Sequence, residues 1–134
     1  MELCAAVLAT KLIHEVSQIM RVPKTNLYAW SDSTVFLAWL GGEPSRWATF
    51  VSNRVSEILT VLDRDQWNHV KTDQIPADCA SRGMSIAELA VHNLWWDGPD
   101  FLHHQNEYKI DQGYETNEEE RPKKTLAAVV QIKE

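Results

Sequence analysis

Tyr28-Ala29-Trp30-Ser31-Asp32-Ser33-Thr34 sets the architecture of this chain. Its apolar and aromatic residues read as a short buried strand, which runs into an acid just before a helix-forming segment begins. A carboxylate at the end of an apolar strand costs free energy unless it has a partner, so Asp32 marks a candidate site. A second acid stands in Pro76-Ala77-Asp78-Cys79-Ala80-Ser81-Arg82-Gly83, inside a turn-rich passage. Together with Glu2, these two acids point to a metal site.

Upstream of the strand, Leu3, Ala6, Val7, Ile13, Val16 and Met20 recur near helical spacing, which predicts a helix over Glu2 to Met20. No Ser, Thr, Asp or Asn precedes it as a cap, so the chain reads as if it enters the fold midway. Pro23 ends that helix, and the strand covers Asn26 to Ser31. Ser33 to Leu40 is the next expected helix, stopped by Gly41-Gly42. Ser45 is expected to cap a third helix from Arg46 to about Leu62. Its apolar face would hold Trp47, Phe50, Val51, Val55, Ile58, Leu59 and Leu62, with Arg46, Asn53, Arg54 and Glu57 on the polar side.

Gln66 to Lys71 reads as a second short strand that includes His69. Ser85 is expected to cap a last helix from Ile86 to about Asn93, closed by Leu94-Trp95-Trp96 as an aromatic plug. Beyond Gly98-Pro99 regular patterning fails. Asn106 to Lys124 is polar, carries Glu118-Glu119-Glu120 and reads as a mobile linker, whereas Leu126 to Ile132 fits an edge strand or a short helix. The expected organisation is one domain over residues 1–101 followed by an acidic, flexible tail over residues 102–134.

With 134 residues, 44% of them hydrophobic and 24% charged, the composition is that of an ordinary soluble globular protein. Neither a signal sequence nor a run of about 18 apolar residues is visible, and two cysteines form no spaced framework. A reducing intracellular setting without membrane contact is therefore expected. The net charge is −6 and uneven: residues 1–96 hold 8 Lys and Arg against 10 Asp and Glu, residues 97–134 hold 5 against 9. This is no basic stripe of the kind a tight nucleic-acid binder shows. Trp30, Trp39, Trp47 and Trp67 fall on apolar faces and are expected in the core, as are Cys4 and Cys79. His92 with His103-His104 lacks the spacing of a zinc site.

Strands alternating with helices, with acids at strand or loop ends, describe an α/β fold that gathers ligands at one edge of a sheet. Carboxylate oxygens suit the hard cation Mg²⁺, and a pair of such ions about 4 Å apart can promote phosphodiester hydrolysis. Glu2-Leu3-Cys4-Ala5-Ala6, Tyr28 to Thr34, Arg46-Trp47-Ala48-Thr49-Phe50-Val51-Ser52-Asn53-Arg54-Val55, Ala77 to Gly83 and Leu94-Trp95-Trp96 resemble, in one order, the ribonuclease H-like region of BEL/Pao-type retrotransposon polyproteins.

That resemblance covers about Met1 to Phe101. It implies a partial RNase H-like fold, a short mixed sheet flanked by helices, without the N-terminal three-stranded meander of the family. It also implies a hydrolase of the RNA strand in RNA/DNA hybrids that uses two Mg²⁺ (or Mn²⁺), with a reverse transcriptase and an integrase as neighbouring regions of the polyprotein. By position Glu2, Asp32 and Asp78 would be the catalytic and metal-binding acids, while Ser33, Arg46, Asn53, Arg54 and Arg82 would face nucleic acid. The family's first acid has no counterpart here, and Gln74-Ile75-Pro76-Ala77-Asp78 departs from its usual Asn-Pro-Ala-Asp turn. Weak or no activity is the expectation, since misplacing a reacting group costs about 10²-fold.

Each residue also has a plainer reading. Glu2 suits the positive end of any helix, Asp32 could cap the following helix, and Asp78 could bond its own turn. Arg46 and Arg54 could be solvated charges, and Arg82 could neutralise a neighbouring acid. A non-enzymatic interaction module or domesticated relic, self-associating through exposed sheet edges, is the alternative function.

Overall fold

The computed structural model describes residues 2–104 and 113–121. Helix α1 covers Glu2–Met20, as the apolar spacing predicts. Its buried stripe is Leu3, Ala6, Thr10 and Ser17, so the inward side is narrower and more polar than the hydrophobic pattern implies. Both buried hydroxyls are satisfied locally: Thr10 Oγ1 donates to Ala6 O at 2.7 Å and Ser17 Oγ to His14 O at 2.7 Å. Leu8, Leu12, Val16, Ile19 and Met20 stay in solvent. By length and composition α1 is also apolar enough to cross a bilayer, although here it packs along α3, and Lys11 pairs with Glu57 at 3.1 Å.

After a 3-10 turn at Lys24–Asn26, β1 runs over Ala29–Ser31 and α2 over Thr34–Gly41. Ser33, not Asp32, is the N-cap of α2, its Oγ accepting from Phe36 N at 3.1 Å. Gly42 closes the helix at φ −89°, so no left-handed conformation requires it. The need is space, because a Cβ there would lie 2.5 Å from Cζ2 of Trp47.

Helix α3 spans Thr49–Val61 and differs at its start from expectation. Pro44–Arg46 forms a separate 3-10 turn, Trp47 is extended, and the N-cap is Ala48, without a side-chain cap. Ser45 therefore caps nothing. The physical reason is Trp47, which is 1% exposed and donates its indole N–H to Trp39 O at 3.0 Å. Inserting that ring into the core breaks the helix that local preference would have begun three residues earlier. Val51, Val55, Ile58 and Leu62 are buried behind it, but Phe50 is exposed.

Strand β2, Trp67–His69, pairs with β1 in parallel, in the register Ala29 with Trp67, Trp30 with Asn68 and Ser31 with His69. Val70 N extends the ladder to Ser31 O at 3.0 Å. The fold is thus α/β, with β1, α2, α3 and β2 forming a parallel crossover; among the described residues the sheet is wholly parallel rather than mixed. Gln66 locks the crossover, its amide donating to Lys24 O at 2.6 Å and Leu27 O at 2.9 Å. The core joins Leu3, Phe36, Leu37, Trp47, Val55, Ile58, Leu62 and Trp67.

Downstream, the expected turn around Asp78 is a helix, α4, over Pro76–Arg82, with Pro76 at its first turn. Ser85 caps α5 as expected, but α5 stops at Ala90, and Asn93–Asp97 forms α6. Trp95 and Trp96 are exposed, so they plug nothing. Trp30 and Trp39 are half-buried rather than core, Cys4 is exposed and Cys79 half-buried. Residues 113–121, within the expected linker, form an antiparallel bridge between Glu120 and Trp47. Leu126 to Ile132 lies outside the described residues.

Candidate functional site

The segments that follow the two strands meet at the C-terminal end of the sheet. Asp32 follows β1 directly and is exposed, and its Oδ2 accepts from Thr72 Oγ1 at 3.0 Å. Thr72 opens the 3-10 turn Thr72–Gln74 that follows β2. The parallel register carries both chain segments out of the sheet at the same end, which is why residues 40 positions apart meet here.

Glu2 arrives from the first turn of α1. Its Oε2 accepts from Ser33 Oγ at 3.5 Å, so the side chain lies beside the residue next to Asp32. Ser33 therefore has two roles, capping α2 and reaching Glu2. Sequence reasoning brought Glu2 and Asp32 to one edge, and in the structure Glu2 reaches Ser33, the residue after Asp32.

Asp78 is connected more loosely. With Thr72, Asp73, Cys79 and His92 it lines a cavity of about 280 Å³. Thr72 thus stands between the two acids, bonded to Asp32 and bordering the space that Asp78 faces. The Asp78 carboxylate is half-buried and held by Arg82, with Nε to Oδ2 at 2.9 Å one helical turn on. Ser81 Oγ approaches its Oδ1 at 3.5 Å. Arg82 thus neutralises a neighbouring acid, one of the two roles open to it from sequence.

The remaining candidates on α3 and its approach lie apart from these acids. Arg54 stacks on the Phe50 ring at 3.7 Å and donates to Phe50 O at 3.5 Å. Asn53 is exposed. Arg46 is engaged by residues 113–121, with Nε to Glu120 Oε1 at 3.1 Å and Nη2 to Glu120 Oε2 at 3.4 Å. Thr72 is the functional candidate that sequence reasoning missed. No local signal marks it, because a Thr three residues beyond β2 reaches Asp32 only through the pairing register of the two strands.

The donor chemistry, carboxylate and hydroxyl oxygen throughout, suits a hard divalent cation. The arrangement brings two acids, Glu2 and Asp32, into reach of one edge, while Asp78 is committed to Arg82. Among the described residues no three acid, His or Cys side chains converge on one point. Compared with protein-family models, curated proteins and solved structures, the chain finds no match.

Proposed function

We propose that this chain is part of a ribonuclease H-like domain of a BEL/Pao-type retroelement polyprotein whose parent hydrolyses the RNA strand of RNA/DNA hybrids, and that on its own it retains weak activity at most. The observation that carries the reading is the meeting of Glu2, Ser33, Asp32 and Thr72 at the C-terminal end of a parallel strand pair. Mg²⁺ or Mn²⁺, two ions in a complete domain, would be held by carboxylate oxygens of Glu2 and Asp32 and would supply water activation and charge neutralisation at the scissile phosphate. Ser33 and Thr72 hold the two carboxylates in place through their hydroxyls. Asp78 joins them only by exchanging Arg82 for the site, which frees that guanidinium for phosphate. Reverse transcriptase and integrase regions of the same polyprotein, and an intracellular setting, belong to this reading.

The test is cleavage of a labelled RNA/DNA hybrid in Mg²⁺ and then Mn²⁺, with Asp32→Asn as control. Metal-dependent cleavage that the substitution abolishes supports the reading. No cleavage in either metal, or equal cleavage by Asp32→Asn, removes the enzyme reading for this chain.

A second reading has its own observation. Helix α1 exposes Leu8, Leu12, Ile19 and Met20 on its outer side, and β1 pairs only with β2 among the described residues. An apolar helix face and an open strand edge each suit an interaction module that pairs with a second copy. Light scattering after size exclusion should give a dimer that Leu8→Glu with Leu12→Glu dissociates; a monomer at all concentrations sinks this reading.

A further inference from the structure

The segment 113–121 makes more ordered contacts with the body than its polar composition implies. Ala48 N donates to Glu119 O at 2.7 Å, Arg121 N to Arg46 O at 2.8 Å, and Trp39 Nε1 to Glu118 O at 3.0 Å. Arg121 Nε also donates to Trp47 O. At the centre stands Arg46, stacked on the Trp47 ring at 4.7 Å. Besides both Glu120 oxygens, its Nη2 contacts Thr116 O at 3.4 Å and Asn117 Oδ1 at 3.3 Å. At the other end of the segment, Tyr114 lies against the His69 ring at 5.7 Å, at the end of β2 that leads toward Thr72. The strap thus runs between the guanidinium and the strand end beside the candidate acids.

A guanidinium that takes both oxygens of one carboxylate presents the fork that takes two oxygens of a phosphate. Around it, α3 begins without a side-chain cap, so its first amides add positive potential. We propose that residues 113–121 are an internal competitor, occupying with carboxylate and carbonyl oxygens a surface around Arg46 that otherwise binds the phosphate backbone of a nucleic acid. This rests on the nucleic-acid reading above and adds its regulation: the acidic strap must leave before the backbone reaches Arg46. It also accounts for an overall charge of −6 in a chain that binds a polyanion, since part of the acid is a removable lid on the binding face.

The test is the affinity of the full chain for a fluorescent RNA/DNA hybrid at low salt, by anisotropy. Four proteins are compared: wild type, Glu118→Gln/Glu119→Gln/Glu120→Gln, the charge-matched Glu15→Gln/Asp65→Asn/Asp97→Asn, and the strap triple with Arg46→Ala. The strap triple should bind on the order of 10-fold more tightly than wild type and clearly more tightly than the charge-matched control, and Arg46→Ala should cancel the gain. Hydrogen exchange supplies a readout that bulk charge does not move. The Ala48 amide, which donates to the strap, and the strap's own Arg121 amide, which donates to Arg46 O, should lose protection when hybrid saturates the wild type. Equal affinity of the strap triple and the control, a gain that survives Arg46→Ala, no binding by the strap triple, or amides still protected in the complex would each overturn the proposal. Hybrid bound with strap release but left uncut defeats the nuclease reading alone. Hybrid cut with the strap still protected defeats this one alone.

Discussion

Two halves of the molecule hold their candidate acids by different means. From Glu2 to Val70 the chain closes a crossover around Trp47, Phe36, Leu37, Val55, Ile58 and Leu62, each no more than 1% exposed. From Pro76 to His103 it forms three short α-helices and a 3-10 turn, none of which buries a residue completely. Glu2 and Asp32 belong to the first half, where the sheet and α1 fix their backbones. Asp78 belongs to the second, where α4 has only seven residues and an i,i+4 ion pair about its acid. Such short helices are not stable by themselves. Two acids thus sit on elements of the buried core, and the third sits on a short helix outside it.

The largest effect that tests this contrast is in the core. Ile58→Ala should cost about 2–5 kcal/mol and unfold both halves together in urea, because Ile58 is wholly buried. Leu89→Ala, on α5 in the second half, should leave the main transition nearly in place; equal losses would erase the distinction. Next comes Gly42→Ala, which drives a methyl into the Trp47 ring and should cost about 1–3 kcal/mol, measured the same way. An unchanged midpoint would mean that the ring yields freely.

A smaller effect, and one that sharpens the comparison, is expected from Ser33→Ala. Removing the cap of α2 should cost about 0.5–2 kcal/mol, and it also releases Glu2 from its hydroxyl. Divalent-ion stabilisation should fall with it, read as a smaller melting shift on adding Mg²⁺. Smallest is the second half's own capping box. Ser85 N donates to Glu88 at 2.8 Å, and these hydrogen bonds, first from the Ser85 backbone and then from its side chain, lower the pKa of Glu88. A depressed carboxylate contributes stability above its unfolded pKa and loses it as pH falls through the folded one. Acidification should therefore fray α5 before the core responds, with the Glu88 titration seen by NMR. Ser85→Ala, which keeps the backbone N–H and removes only the hydroxyl, should move the Glu88 pKa part of the way toward its ordinary value, and an unmoved titration would show that the hydroxyl contributes nothing.

Local chemistry made some elements readable in advance. The span of α1, the Gly41-Gly42 stop and the Ser85 cap follow from spacing, glycine and hydroxyl chemistry acting over a few residues. Asp32 was recognisable as an acid after a strand for the same reason. The start of α3 was not readable, because Ser45 is as good a cap as Ser33 and only the insertion of Trp47 into the core rejects it. Nor was the role of residues 113–121, whose polar composition resembles a linker but whose backbone completes contacts with Arg46, Trp47 and Ala48.

The sequence by itself determined that strands and helices alternate, where the principal helices lie, and that acids stand at their ends. Those properties depend on neighbours within one or two turns of chain. Tertiary structure alone decided that Glu2 meets Ser33, that Thr72 holds Asp32 and that Glu120 covers Arg46, across 31, 40 and 74 residues. Such meetings depend on strand register and on which large side chain enters the core, and neither leaves a trace in local spacing.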